Sequence, residues 1–230
     1  MNNVERYHNR HEGESAVIVC NGPSLNKMDL SFLKKNVCFG LNKIYLGFSQ
    51  FHFYPKYYVA VNEKVLRQSE NNIKQLASVK FLSNRCPELF SDNALTSVLR
   101  TDNPRTRFCK DISEGLEEGW TVTFAALQIA FYLGFSKVFI IGMDHDFQYQ
   151  GEPNQESTMT GNDPNHFHKD YFADGVKWDN PDLVKSEESY RLAKVIYEEH
   201  GRQIVDATLD GKCQVFEKMH YKQAFGADID

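Results

Sequence analysis

The sequence has no Cys-x-x-Cys pair. Its five cysteines, Cys20, Cys38, Cys86, Cys109 and Cys213, are scattered and odd in number. This excludes a zinc ribbon and a dithiol redox motif. Cys20 and Cys38 lie in apolar runs and read as core thiols of a reduced, cytosolic protein. There is no basic run either. Lys and Arg number 26 against 31 Asp and Glu, for a net charge of −5, which excludes nucleic acid as the partner. Long apolar runs are also missing. The longest, residues 122–133, is too short to cross a bilayer and contains Thr123 and Gln128. The first fifteen residues are polar, unlike a secretory leader. The expectation is therefore a cytoplasmic protein with no transmembrane segment. Peripheral contact with the inner face of a membrane, and homo-oligomerisation, stay open. The two glycine-rich phosphate signatures are absent as well: there is no Gly-x-Gly-x-x-Gly, and no Walker loop with its Lys-Ser/Thr.

What is present is a core-forming chain. Apolar residues make up 41% and aromatics 13% of 230 residues, which suits one domain over 1–230. Short β-rich runs alternate with helical ones. Strands are expected at 16–20, 37–40, 57–61, 79–82, 137–141 and 203–206. Helices are expected at 28–33, at 63–77 behind an Asn62 cap, at 121–133 ending on Gly134, and at 182–200 ending on Gly201. Residues 1–14 read as a frayed tail or short helix, and 83–118, with Asn103-Pro104, as irregular. The apolar run 137–141 fits a parallel strand covered on both faces. The alternation predicts an α/β, doubly wound, mainly parallel Rossmann-like sheet with helices on both faces. Residues 148–180, rich in Asn, Asp, Gly, Pro and aromatics, are too long for a plain connection and read as a lid or acceptor loop.

The polar residues that could carry chemistry cluster where strands or helices end. Asn21-Gly22-Pro23-Ser24 follows the first strand, where ligands of such folds bind. Asn42 follows the second and could bond a ribose or base, or be an ordinary turn residue. Thr121 and Thr123 open the apolar helix, whose free N–H groups suit phosphate, and Thr121 also reads as a plain N-cap. Gly142, Asp144 and Asp146 follow the strand at 137–141. This Asp-x-Asp could chelate magnesium beside a nucleotide, or bond a sugar hydroxyl or base amine. His166 and His168 sit in an aromatic loop; either could be a general base. Tyr149 lies between, as a leaving-group or acceptor contact.

Together these segments resemble a known family. Residues 17–33 (VIVCNGPSLNKMDLSFL) and 38–45 (CFGLNKIY) resemble the opening of the bacterial sialyltransferases of glycosyltransferase family 42. Residues 121–147 (TVTFAALQIAFYLGFSKVFIIGMDHDF), 165–172 (NHFHKDYF) and 203–208 (QIVDAT) fit its later parts. The chain also resembles the wider domain family labelled hydroxymethylpterin diphosphokinase MptE-like, which occurs in flagellin-modifying motility accessory proteins. The resemblance implies a Rossmann-like domain that binds a CMP-sugar donor through Asn21 and Asn42, with Thr121 and Thr123 near the donor and Asp144 after the late strand. His168 or His166 would be the base, and the acceptor a glycan or glycoprotein hydroxyl. No cofactor is then required. The sequence departs from the sialyltransferases at Gly119, where they carry Arg, and at Thr123, where they carry Gly. Their phosphate-holding tyrosines are matched only loosely, by Tyr149 and Asp146.

Three functions follow as expectations. One is a glycosyltransferase using a sialic acid-like or Kdo-like CMP-sugar. A second is an ATP- and magnesium-dependent 6-hydroxymethylpterin diphosphokinase with the metal on Asp144 and Asp146. The third is a non-catalytic nucleotide-binding domain.

Overall fold

A computed structural model of the protein describes residues 3–101 and 107–226. Asn103-Pro104 lies outside these residues. The strands are β1 (Ser15–Val19), β2 (Val37–Leu41), β3 (Tyr57–Ala60), β4 (Val79–Ser83), β5 (Thr96–Leu99), β6 (Lys137–Ile141), β7 (Glu156–Thr158), β8 (Lys177–Asp179), β9 (Gln203–Asp206) and β10 (Glu217–Lys218). The helices are α1 (Phe48–Phe51), α2 (Glu63–Gln68), α3 (Glu70–Gln75), α4 (Val122–Tyr132), α5 (Leu183–Glu199) and α6 (Tyr221–Phe225).

Eight strands form one parallel sheet in the order β10-β9-β6-β1-β2-β3-β4-β5. The chain builds outward from β1 to β5, then returns to lay β6 on the other side of β1. Successive strand residues point to opposite faces, and the side chains divide accordingly. Ala16, Ile18, Phe39, Leu41, Tyr57, Val59, Val138 and Ile140 join one core, with α4 and the inner face of α5. Val17, Val19, Cys38, Tyr58, Ala60, Phe139 and Ile141 join a second core on the other face. That core also takes Leu25, Leu30 and Leu33 from the turns after β1, Leu66 and Ile73 from α2 and α3, and Phe167, Tyr171, Phe172 and Trp178 from the segment before α5. Covering on both faces is the condition for an all-parallel sheet, and the Rossmann-like α/β fold expected from the alternation is the one observed.

Several local expectations are revised. The helix at 63–77 is two short helices broken at Ser69. In place of a helix at 28–33 there is a 3-10 turn, Ser31–Lys35. The region 83–118 contains β5, and the tail contains β10. Both are short edge strands, and their few half-polar residues carry little periodic signal. Residues 148–180 contain the antiparallel pair β7–β8. The amino-terminal segment is tied down, not frayed: Val4 and Tyr7 are buried, and His11 bonds Tyr57 Oη at 2.7 Å while stacking on Phe135. Among the described residues no helix is long and apolar enough to cross a membrane.

α4 is buried all round, from Thr123 to Tyr132. Its one amide, Gln128, is fully satisfied. Oε1 accepts from Cys109 N (3.0 Å) and Glu117 N (3.2 Å), and Nε2 donates to Glu117 O (2.7 Å) and Phe124 O (3.1 Å). Gln128 thereby replaces ladder bonds for the loop that leads into α4. A buried N–H or C=O left without a partner costs about 1–3 kcal/mol. Gln128→Leu, similar in size, is therefore expected to lower unfolding free energy by about 2–4 kcal/mol in urea denaturation. A loss below about 0.5 kcal/mol would show that water replaces the amide.

Candidate functional site

The sheet reverses direction of growth between β1 and β6. Ligands of open parallel sheets bind beyond the carboxyl ends at such a point. A cleft of about 550 Å³ opens there. Its floor is Cys20, Asn21 and Gly22 after β1, Leu41 and Asn42 after β2, and Gly142 to Asp146 after β6. One side is the start of α4, with Trp120, Thr121 and Thr123. The other includes Asn165, His166, Tyr171 and Asn180 from the segment before α5.

The floor is clasped across the switch. Gly22 N donates to Gly142 O at 2.8 Å. Asp144 accepts from Ser24 N at 2.8 Å and from Ser24 Oγ at 2.5 Å, one bond on each carboxylate oxygen. A Cβ on Gly22 would lie 2.0 Å from Asp144 Oδ1 and 2.7 Å from Gly142 O. Glycine is thus required for close approach rather than for a turn angle. Burial raises the Asp144 carboxyl above its usual range, and the Ser24 bonds pull it back. Ser24 and Pro23 support the floor from behind and do not line the cleft. Asp144 and Asp146 do line it. Each Asp144 oxygen thus has one lone pair taken up by Ser24. Asp146 is the exposed member. His145 adopts a left-handed φ of 56° and meets Glu187 at 3.2 Å; burial lowers its pKa. With Cys213 this pair brings three metal-donor types within 4.8 Å of one another, but Glu187 already binds His145 and Arg191.

Three asparagines present unmatched acceptors. Asn21 is 7% exposed. Its Nδ2 donates to Leu41 O at 3.1 Å, since only an N–H can face a carbonyl, which leaves Oδ1 buried with no partner. Asn42, at φ 48°, and Asn180 likewise have buried, unpartnered Oδ1 atoms. Asn180 is oriented by bonds from its Nδ2 to Gln150 O (2.8 Å) and Glu152 O (3.0 Å). Buried polar atoms are ordinarily satisfied. The three residues line one cleft; their oxygens are closed off from water as the side chains stand, and a side-chain turn would offer them to a ligand that brings donors, hydroxyls or an exocyclic amine. Thr121 caps α4, accepting from Thr123 N at 3.3 Å, and its hydroxyl also meets Tyr190 Oη at 3.1 Å. Thr123 Oγ1 lies 3.4 Å from Cys20 Sγ, a thiol that burial pushes up to about 12.

The two histidines part company. His166 lines the cleft, stacked on Tyr171 at 3.8 Å, with Nδ1 2.7 Å from Asp163 Oδ2. Asp163 is itself buried and fixed by Asn165 N and Phe172 N. His168 does not line the cleft, and its Nδ1 accepts from Asp170 N. Neither it nor Tyr149 reaches the cleft. Asp163 was missed in the sequence, although Asp163-x-x-His166 spacing marks such a pair. The segment is pinned to the floor where Phe167 N donates to Asn21 O (2.9 Å) and Asn26 Nδ2 to Phe167 O (2.7 Å). Lys43, buried, donates to Tyr171 O and Gln68 Oε1, both at 2.9 Å.

Residues 1–150, which carry the clasp, Asn42 and the start of α4, match the family model described as 6-hydroxymethylpterin diphosphokinase MptE-like. The chain belongs to this MptE-like family. No curated protein gives a significant match. Among solved structures, the MAf glycosyltransferase from Magnetospirillum magneticum AMB-1 is similar, with a TM-score of 0.58 at 14% identity, over 96% of this chain and 38% of that one. The MptE-like chain thus spans well under half of that protein's length, and the likeness is one of fold. The family match ends before Asp163 and His166, so the segment that carries them lies outside it.

Two outcomes are expected. Gly22→Ala must displace Asp144 or Gly142 and should lower stability by about 1–3 kcal/mol, as overpacking does; an unchanged denaturation midpoint would mean the clasp is loose. Burial holds the Lys43 ammonium down at about 8 against an ordinary 10.5, partly offset by Asp163. Between these values the unfolded chain binds more protons, so the Lys43 contribution to stability rises with pH across that window. The unfolding free-energy difference between wild type and Lys43→Met should therefore move in favour of wild type from pH 8 to 10.5. A constant difference over that window would mean that Lys43 is solvated.

Proposed function

We propose that this protein is a glycosyltransferase that moves a sugar from a nucleotide-activated donor to an acceptor hydroxyl on a surface glycan or protein. The donor is read as a CMP-linked sialic acid-like or Kdo-like acid. The observation that carries this reading is a single cleft holding the His166–Asp163 pair together with the unpartnered Oδ1 atoms of Asn21 and Asn42. The MAf likeness supports a fold suited to such chemistry, and the sequence resemblance to sialyltransferases supports the donor class.

The roles follow from geometry. Asn21 and Asn42 accept from ribose hydroxyls or the cytosine amine. The start of α4 receives the phosphate at the positive end of an eleven-residue helix, through Val122 N, since Thr123 N and Phe124 N are already bonded to Thr121. With Nδ1–H given to Asp163, His166 keeps Nε2 free as an acceptor. Nε2 takes the proton of the acceptor hydroxyl as its oxygen bonds the anomeric carbon. The bond from that carbon to phosphate breaks, and the nucleotide leaves with the electron pair. Asp163 fixes the ring and stabilises the imidazolium that forms. Rate then comes chiefly from positioning and from stabilising the departing phosphate. No step needs a metal. A diphosphokinase would need one on Asp144 and Asp146, and the Ser24 clasp weighs against it.

Calorimetric titration with CMP, CDP, UDP, GDP, ADP and ATP, each with and without magnesium, separates the readings. CMP or CDP binding without metal is expected, and binding of ATP alone with magnesium would favour the kinase. With a CMP-sugar donor, His166→Ala should cut kcat by about 10²–10⁴-fold and leave CMP affinity within about threefold, while His168→Ala changes little. Equal loss of turnover and affinity in His166→Ala would sink the base assignment.

A further inference from the structure

Trp120 is unusual on three counts. It is 47% exposed, among the few large apolar side chains of the described residues left in water. It lines the cleft. Its backbone φ is 68°, directly after Gly119 at 56°. Thr121 N closes the turn on Glu118 O at 3.1 Å. Positive φ at both central residues is the pattern of a type I′ turn, which asks for Gly, Asn or Asp. Gly119 obeys. A Cβ there would also strike the Phe124 ring at 2.1 Å. Trp120 does not obey. A bulky residue in the left-handed region is strained, and exposure means that little burial compensates. Strain of this kind persists at sites of function.

We infer that Trp120 is a stacking platform for the aromatic base of the nucleotide, an inference that rests on the nucleotide-sugar reading above. The tight turn fixes the indole beside the start of α4, so the base can lie on the ring while the phosphate meets the helix N-terminus. The neighbouring Thr121 is bonded to Tyr190 of α5, which anchors the turn from below. An indole face holds any base, whatever its hydrogen-bonding edge. Discrimination among bases is left to acceptors such as Asn21, Asn42 and Asn180. The platform also lies within residues 1–150, the part that matches the family model.

The sequence has two tryptophans, Trp120 and Trp178, so Trp178→Phe leaves one indole as reporter. In that variant CMP is expected to quench the fluorescence. Ribose 5-phosphate, which lacks only the base, is expected not to. In the otherwise natural protein, Trp120→Asn should weaken CMP binding about tenfold or more. It should also raise the melting temperature, because Asn tolerates the left-handed turn. Trp120→Phe should recover much of the affinity. A Trp kept for packing would behave oppositely, with Trp120→Asn melting lower. CMP binding that is unaltered by Trp120→Asn, or a lowered melting point with both probes lost, overturns the platform alone. If the natural protein binds no nucleotide, the donor reading falls and takes the platform with it.

Discussion

The bond pair from Ser24 to Asp144 is the constraint on which the site depends. Growth of a parallel sheet in two directions from β1 leaves a gap at the carboxyl ends of β1 and β6, and nothing in the ladder closes it. Here one carboxylate closes it, using both oxygens, with glycine at position 22 so that the two backbones can approach. The rest follows. The clasp fixes the turn that carries Asn21. Asn21 O receives Phe167 N and Asn21 Nδ2 holds Leu41 O. The floor, the β2 end and the histidine-bearing segment are thereby set relative to one another through one residue.

The clasp also changes how the Asp-x-Asp is understood. Two carboxylates two residues apart invite a metal. In this fold the first accepts two bonds from Ser24 and burial raises its pKa, while the second is exposed. Residue type and spacing carry no sign of the Ser24 contacts, which come from 120 positions away in sequence.

The sheet and the residues at its strand ends were legible because continuous apolar runs stopped by Asn, Gly and Asp follow from parallel pairing itself. Asn21, Asn42 and Asp144 could be named on that basis, and Thr121 as the cap of an apolar helix. What escaped was whatever depends on distant partners. β5 and β10 are too short to show a period. Ser69 breaks a helix that propensity alone would continue. Which of His166 and His168 lines the cleft depends on which side of a loop faces it, and Asp163 and the Tyr171 stack hold His166 there. Trp120 gave no periodic signal at all; its meaning lies in a turn geometry that its own side chain disfavours.

The wall formed by residues 165–178 is built from Phe167, Tyr171, Phe172 and Trp178, all part of the second core beneath the sheet. A flap of polar residues could swing open at small expense. Lifting this wall would expose an aromatic cluster to water and leave the Lys43 ammonium without the Tyr171 carbonyl. Lifting it to admit a ligand would take apart a piece of that core.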